Sequence, residues 1–338
     1  MTTTISFATR DCVALGCDSL VTSVRNMISP FDLIEKYYEV VDGEYTFKND
    51  DAGIPLLNDV AKLFEVVEEL PYNQAADVTK IFQLSPLPMG MLFAGVVNIG
   101  DHSIRFLRDK FINDPKVKEY IKGSYTVWGV SERLRKHIKQ FYDKQFSKSK
   151  SPPDLEIIVS GFSKNGDQPE IMKFEFGENA KNKVQRECER GVKKIVFGGQ
   201  YDAAHRVVYG VDYKGYMKYI LRVRRLFETY RNEAIKKSAE NGVKVELPDV
   251  TTFLQKENAF KAFANGIGLD LTGFSEQGAI NIVHFLVDLM IKTQHFSNQL
   301  QTVGGKIHIA LITKQGGFQW ISPEEYLYEG KGVPRDVS

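Results

Sequence analysis

The stretch Thr2-Thr3-Thr4-Ile5-Ser6-Phe7-Ala8-Thr9-Arg10-Asp11-Cys12-Val13-Ala14-Leu15-Gly16-Cys17-Asp18-Ser19 decides the fold class. Ile5 and Phe7 fall on one side of an extended chain, and Thr4, Ser6 and Ala8 fall on the other. Arg10-Asp11 then interrupts the alternation before a second apolar run, Val13 to Cys17. This is a β-hairpin that begins almost at residue 1. A two-residue turn makes facing residue numbers add to 21, which sets Asp18 across from Thr3, one residue from Thr2.

Working outward, order is lost from Arg25 to Asp77 among Pro30, Gly43, Gly53, Pro55 and Pro71. That region reads as an irregular, partly helical insertion over about residues 24–78. Lys80 to Leu84, the turn Pro86-Leu87-Pro88 and the apolar run Met89 to Val97 form a second hairpin. Centring its turn on Pro86 to Met89 sets Lys80 opposite Gly95. Helices follow at Asp101 to Ile121 and at Ser131 to Phe146, the latter expected to begin at Ser131. Leu155 to Ser160 and Ile171 to Phe176 flank a turn at Lys164-Asn165-Gly166, and Lys194 to Phe197 leads through Gly198-Gly199 into a helix from Tyr201. A second insertion, about 212–273, opens with an amphipathic helix, Tyr216 to Glu240, whose polar face is basic. An apolar helix from Gln277 to Phe296 precedes a last hairpin, Lys306 to Thr313 with Gly316 to Ile321. Blocks of strands alternating with blocks of helices specify an α+β fold of antiparallel sheets covered by helices.

Composition narrows the function classes. The 338 residues are 43% hydrophobic and 26% charged, with a formal charge of +1. No net field is available to hold nucleic acid or an anionic membrane. The longest uncharged stretch, Ile81 to Gly100, is broken by Pro86, Pro88 and Gly90 and does not read as the roughly 20 apolar residues a bilayer requires. The N-terminus lacks the pattern of a secretory signal, so a cytoplasmic location is expected. Cys12, Cys17 and Cys188 are too scattered for a disulfide framework or zinc site, and Cys12 and Cys17 read as inert small hydrophobes on a buried strand. No phosphate-cradling glycine motif or metal-spaced histidine pair occurs, and no cofactor is expected.

The chemistry-bearing residues gather at the hairpin ends. Removal of Met1 exposes Thr2 with a free α-amine beside its own hydroxyl, so nucleophile and base share one residue. An α-amine titrates near 7.7–8.0, and a neighbouring ammonium lowers that value. Lys80 supplies the ammonium, Asp18 a carboxylate, and Gly95 a backbone N–H able to face an oxyanion. Lys62, in Ala61-Lys62-Leu63-Phe64, is the alternative lysine. Lys80 is preferred because it alone leads through a short turn into Phe93-Ala94-Gly95.

Together, Thr2-Thr3-Thr4-Ile5, the turn at Asp11, Gly16-Cys17-Asp18-Ser19, Lys80 to Leu84 and Phe93-Ala94-Gly95 resemble the proteasome family of N-terminal nucleophile hydrolases. The likeness is sharp in residues 2–20 and 80–101. It implies a four-layer αββα sandwich, here one domain over 1–338 with the two insertions. By the same resemblance Thr2 is the nucleophile, Asp18 and Lys80 its charged partners, and Gly95 the oxyanion donor. Leu20, Phe82 and Val97 line an apolar substrate pocket. Peptide or unfolded-protein substrates, a homo-oligomer of stacked rings and an ATP-dependent unfoldase partner are implied as well. The chain departs from the family twice. Phe197 stands where the family has a serine, and Gln299 to Gly304 carries no aspartate where the family has one, leaving Thr302, Ser297 or a water as replacements. Two other readings keep the fold: an inactive structural or regulatory ring subunit, and an amidase acting on a small molecule.

Overall fold

The N-terminal hairpin forms in the expected register. Strands β1 (Thr3–Ala8) and β2 (Cys12–Asp18) pair antiparallel, with Thr4 opposite Cys17 and Ala8 opposite Val13. The computed structural model describes residues 2–28, 30–41, 43–59, 62–63, 66–75, 77–149, 151–178, 180–210, 213–241, 271, 273–297 and 301–321. Met1, Gln299 and Leu300, and residues 242–270 of the second insertion, lie outside them.

The first insertion is more regular than its sequence suggests. Strands β3 (Val21–Ile28) and β6 (Val67–Ala75) pair antiparallel around helix α1 (Pro30–Tyr37) and the hairpin β4 (Tyr38–Val41) and β5 (Glu44–Phe47). Pro71 lies inside β6, opposite Val24, beside a shift in register. A proline there donates no ladder hydrogen bond, which is why the stretch does not read as a strand.

Strand β7 (Ile81–Gln83) pairs with β8 (Met89–Gly95), Ile81 facing Leu92. Lys80 therefore lies opposite Phe93, whose N–H donates to the Lys80 carbonyl at 3.3 Å, and not opposite Gly95. The shift is two residues, which preserves the face each side chain occupies. After the short pair β9 (Asn98–Ile99) and β10 (His102–Ser103), the expected single helix is two. Helix α2 (Ile104–Asn113) ends at Asp114, whose carboxylate caps α3 (Pro115–Lys122) with Pro115 in its first turn. Helix α4 (Val127–Phe146) starts earlier than expected, capped by Thr126; Ser131 is inside it, its hydroxyl donating to the Val127 carbonyl at 2.7 Å.

The remaining elements are β11 (Leu155–Gly161), β12 (Glu170–Phe176), β13 (Gln185–Cys188), β14 (Lys194–Gly199), α5 (Asp202–Tyr209), α6 (Tyr213–Glu240), α7 (Glu276–His295), β15 (Ile307–Thr313) and β16 (Gly317–Trp320). Two five-stranded antiparallel sheets result, ordered β14-β1-β2-β15-β16 and β13-β12-β11-β8-β7. The chain is thus a mixed α+β protein. Among the described residues, most of the buried apolar side chains gather in three clusters. Val13, Leu15, Cys17, Leu92, Ile158 and Ile312 join the two sheets. Ile5, Phe7, Val208, Val283 and Leu286 bring α5 and α7 onto the first sheet, and Met91, Leu107, Leu134, Ile157 and Phe174 bring α2 and α4 onto the second. Alternation along β1 follows from this: Ile5 and Phe7 meet helices, while Ala8 meets the other sheet and Ser6 bonds Ser160 across it at 2.8 Å.

Candidate active site

The start of β1 and the end of β2 share one buried carboxylate. Asp18 Oδ1 accepts the Thr3 N–H at 2.9 Å and the Lys80 ammonium at 2.9 Å. Its Oδ2 accepts the N–H groups of Gly304 at 3.0 Å and Leu20 at 3.2 Å. Lys80 Nζ also donates to the Leu20 carbonyl at 2.6 Å. The side chains of Lys80 and Asp18 are 1% and 0% exposed, so neither charge is shared with water. Burial pushes the Asp18 carboxyl above its ordinary value, while the Lys80 ammonium and the Gly304 and Thr3 N–H groups oppose that shift. An isolated charge here would be prohibitive; the pair persists because each member is hydrogen-bonded as well as paired.

Thr2 is buried beside this pair. Its carbonyl accepts the Gln200 N–H at 2.7 Å, and the Thr3 hydroxyl donates to the Gln200 carbonyl. Gly199 makes that approach possible: its φ is +69°, and a Cβ there would stand 1.8 Å from the Thr2 oxygen and 3.2 Å from Ala94 Cβ. Gly199 thus lies against the Thr2 carbonyl, with Ala94 of the second sheet beside Gly199. Gly95, next to Ala94, has φ +107°, and a Cβ on it would lie 2.2 Å from the Asp154 carbonyl, so only glycine fits at the end of β8.

A second, neutral cluster adjoins Gln200. Gln294, near the end of α7, donates to Gln200 Oε1, which also accepts the Thr302 hydroxyl at 2.8 Å. Gln294 Oε1 accepts the N–H groups of Thr302 and Val303, each at 2.8 Å. This fixes the loop that carries Gly304 to Asp18. Thr302 therefore reaches the Thr2-binding turn. Ser297 does not; its hydroxyl donates to the Gln294 carbonyl at 2.9 Å. Phe197 lies opposite Ile5 and belongs to the buried cluster beneath α5 and α7, facing away from the second sheet.

A cavity of about 480 Å³ opens at Val78 and Thr79, the two residues before Lys80, with Thr2, Asp18, Lys80 and Gly95 outside its lining. Phe82, Phe93, Val97 and Ile104 give it apolar walls, and Asp77 and Arg105 add opposite charges. The Phe82 and Phe93 rings stack at 5.8 Å. Of the three residues expected to line a pocket, Phe82 and Val97 do so. Leu20 does not line it: its side chain is buried against Gly304, whose added Cβ would meet Leu20 Cδ2 at 3.2 Å, and its contribution is the carbonyl that holds Lys80.

The other candidates lie elsewhere or are inert. Lys62 donates to the Leu56 carbonyl at 2.6 Å, inside the first insertion. Burial raises the Cys12 thiol and pushes Cys17 up to about 12 and Cys188 up to about 11, well away from a reactive thiolate. Among the described residues no helix is long and apolar enough to cross a membrane.

No protein-family model matches this sequence, and no curated protein matches it. The geometry therefore has to carry the functional reading. Sequence reasoning missed Gly304, Gln200 and Gln294. The one signal for Gln294 is an amide in the last turn that continues the apolar positions Val283, Val287 and Met290 at helical spacing, and for Gly304 the glycine pair Gly304-Gly305 before the final hairpin.

Proposed function

We propose that the chain is an N-terminal threonine hydrolase of the proteasome type, a four-layer αββα sandwich that cleaves peptide bonds within a homo-oligomeric ring. The observation that carries this reading is the fully buried Lys80, shared between Asp18 and the Leu20 carbonyl beside Thr2. Two sheets joined by one apolar cluster and covered by helices on their outer faces support the sandwich.

With Met1 removed, the Thr2 amine takes the proton of its own hydroxyl as Oγ1 attacks the peptide carbonyl carbon. The Lys80 ammonium disfavours a protonated amine, and Asp18 holds the lysine in place. The Gly95 N–H stabilises the oxyanion. The C–N bond then breaks, the departing amine takes the proton, and an ester remains on Thr2. Water, deprotonated by the α-amine, cleaves the ester and restores the hydroxyl. The cavity at Phe82, Phe93 and Val97 suits an apolar side chain next to the scissile bond. An ATP-dependent unfoldase feeding the ring is part of the same proposal.

Intact mass tests it, measured before and after an electrophile directed at N-terminal threonine. The expected result is a chain lacking Met1 that gains one adduct, absent in Thr2→Ala. Retained Met1, or a free Thr2 that does not react, overturns the hydrolase reading. The second reading, a structural ring subunit, then stands, favoured by Phe197 and the uncharged Gln200–Gln294–Thr302 cluster where the family carries a serine and an acid.

A further inference from the structure

We infer that Glu156 is a positioning residue for Thr2: from the second sheet its carboxylate holds the Gly199 N–H, and with it the turn that binds the Thr2 carbonyl. The inference rests on the hydrolase reading and adds to it a residue outside the set of Thr2, Asp18, Lys80 and Gly95.

The turn has no side chain with which to hold itself. Gly198 and Gly199 end β14, the edge strand of the first sheet, so no further strand lies on its outer side. Gly199 sits at φ +69°, and ordering a glycine costs more conformational freedom than ordering any other residue. Thr2 nevertheless depends on this turn. The next N–H, that of Gln200, donates to the Thr2 carbonyl at 2.7 Å, and Thr3 lies opposite Gly199. An anchor therefore has to reach the glycine backbone from elsewhere. Glu156 Oε2 supplies it, accepting the Gly199 N–H at 2.9 Å. The same oxygen lies close enough to Gly198 that a Cβ there would meet it at 3.1 Å. A bond to an ionised acceptor is roughly twice as strong as one between neutral groups.

Alternation along β11 brings Glu156 to this place. Ile158 belongs to the cluster that joins the two sheets and Ser160 bonds Ser6 across it, so Glu156 shares their face. It lies opposite Ala94 on β8 and opposite Glu175 on β12. Two carboxylates so placed repel each other. Lys173, which lies opposite Ile158, relieves that repulsion: its ammonium is 3.3 Å from Glu156 and 3.0 Å from Glu175. Burial opposes the lysine's charge, yet the two carboxylates hold it above its ordinary value. Glu156 thus keeps its charge between the sheets. It reaches Thr2 only through backbone, so it moves no proton there; it fixes the peptide that carries the hydroxyl and hence the aim of Oγ1. A displacement of about 1 Å in such a nucleophile can cost about a hundredfold in rate.

Two variants of the full chain separate the hydrogen bond from the charge. Glu156→Gln keeps an acceptor at the same reach and drops the ion pair; Glu156→Asp keeps the charge and withdraws it by one methylene. The probe is a peptide β-lactone. Thr2 Oγ1 bonds to the lactone carbonyl carbon, the ring C–O bond breaks, the released oxygen takes the hydroxyl proton, and Thr2 gains the whole mass of the probe. At saturating probe the rate of adduct formation should fall about tenfold or more in Glu156→Asp and stay near the parent value in Glu156→Gln, with the half-saturating concentration unchanged in both. A purely ionic role predicts the reverse order, because glutamine is the variant that deserts Lys173. Equal rates in all three chains, or a glutamine variant as slow as the aspartate one, overturn the inference. Hydrogen exchange at the Gly199 amide tells this failure from that of the hydrolase reading. The amide should be protected in the parent and in Glu156→Gln and exchange faster in Glu156→Asp. An unprotected amide in a parent that reacts overturns the positioning role alone; a protected amide in a parent that never forms the adduct overturns the hydrolase reading, and the positioning role with it.

Discussion

The beginning of β1 is held by two unlike clusters. On one side, Asp18 and Lys80 are charged and fully buried, and most of their remaining bonds go to the backbone of Thr3, Leu20 and Gly304. On the other, Gln200, Gln294 and Thr302 are neutral and bond chiefly through side chains. Both satisfy buried polar atoms, but they do different work. An ionic pair can bias the protonation of a neighbouring amine; a neutral network can fix a loop without burying a net charge.

Breaking the ionic cluster should have the largest effect. Lys80→Met leaves the Asp18 carboxylate buried without its cation, and urea unfolding should show a loss of about 3–5 kcal/mol. Adding Asp18→Asn should recover part of that loss, since the stranded charge is then gone; a double variant less stable than both single ones would contradict the pairing. In the neutral cluster, Gln294→Leu strands the Thr302 and Val303 N–H groups. The expected destabilisation is smaller, about 1–3 kcal/mol, with Thr2 adduct formation slowed but not abolished. Complete loss of the adduct in a folded Gln294→Leu protein would erase the distinction between the two clusters.

Two smaller effects sharpen it. His308 lies opposite Cys17, on the strand that follows the Gly304 loop, and burial holds it below its ordinary 6.5. The unfolded chain therefore binds the extra proton first. Stability should be level above pH 6.5 and decline as pH falls toward the folded value, by at most about 1.4 kcal/mol per pH unit, and His308→Gln should flatten that limb. Last, Cys17, pushed up to about 12, should resist iodoacetamide in the native state at pH 8 and react only on unfolding. Labelling of folded protein at Cys17 would show that the strand opens.

How much of this the sequence reveals depends on whether a local rule sets the phase. The β1–β2 register is legible because a two-residue turn and clean alternation agree. The β7–β8 register is not, because Met89 to Ala94 are buried on both faces and alternation carries no phase, so the turn alone had to set it. The break between α2 and α3 was available in Asp114-Pro115, a cap followed by a helix-opening proline. The β3–β6 ribbon was hidden by Pro71. Within the site, Asp18 and Lys80 follow from hairpin ends. Gln294 and Gly304 do not, because their bonds cross the chain with no periodic signal at either end.

The bond from the Gly304 N–H to Asp18 spans 286 positions. Its consequence is one of timing. A nascent chain synthesised only to residue 290 already contains Thr2, Asp18 and Lys80, but it lacks the loop that completes the carboxylate's shell and the strand that covers β2. Contacts this distant in sequence close late, after local hairpins and helices have formed. The same backbone amide therefore closes the carboxylate's shell only once the loop before the β15–β16 hairpin has docked.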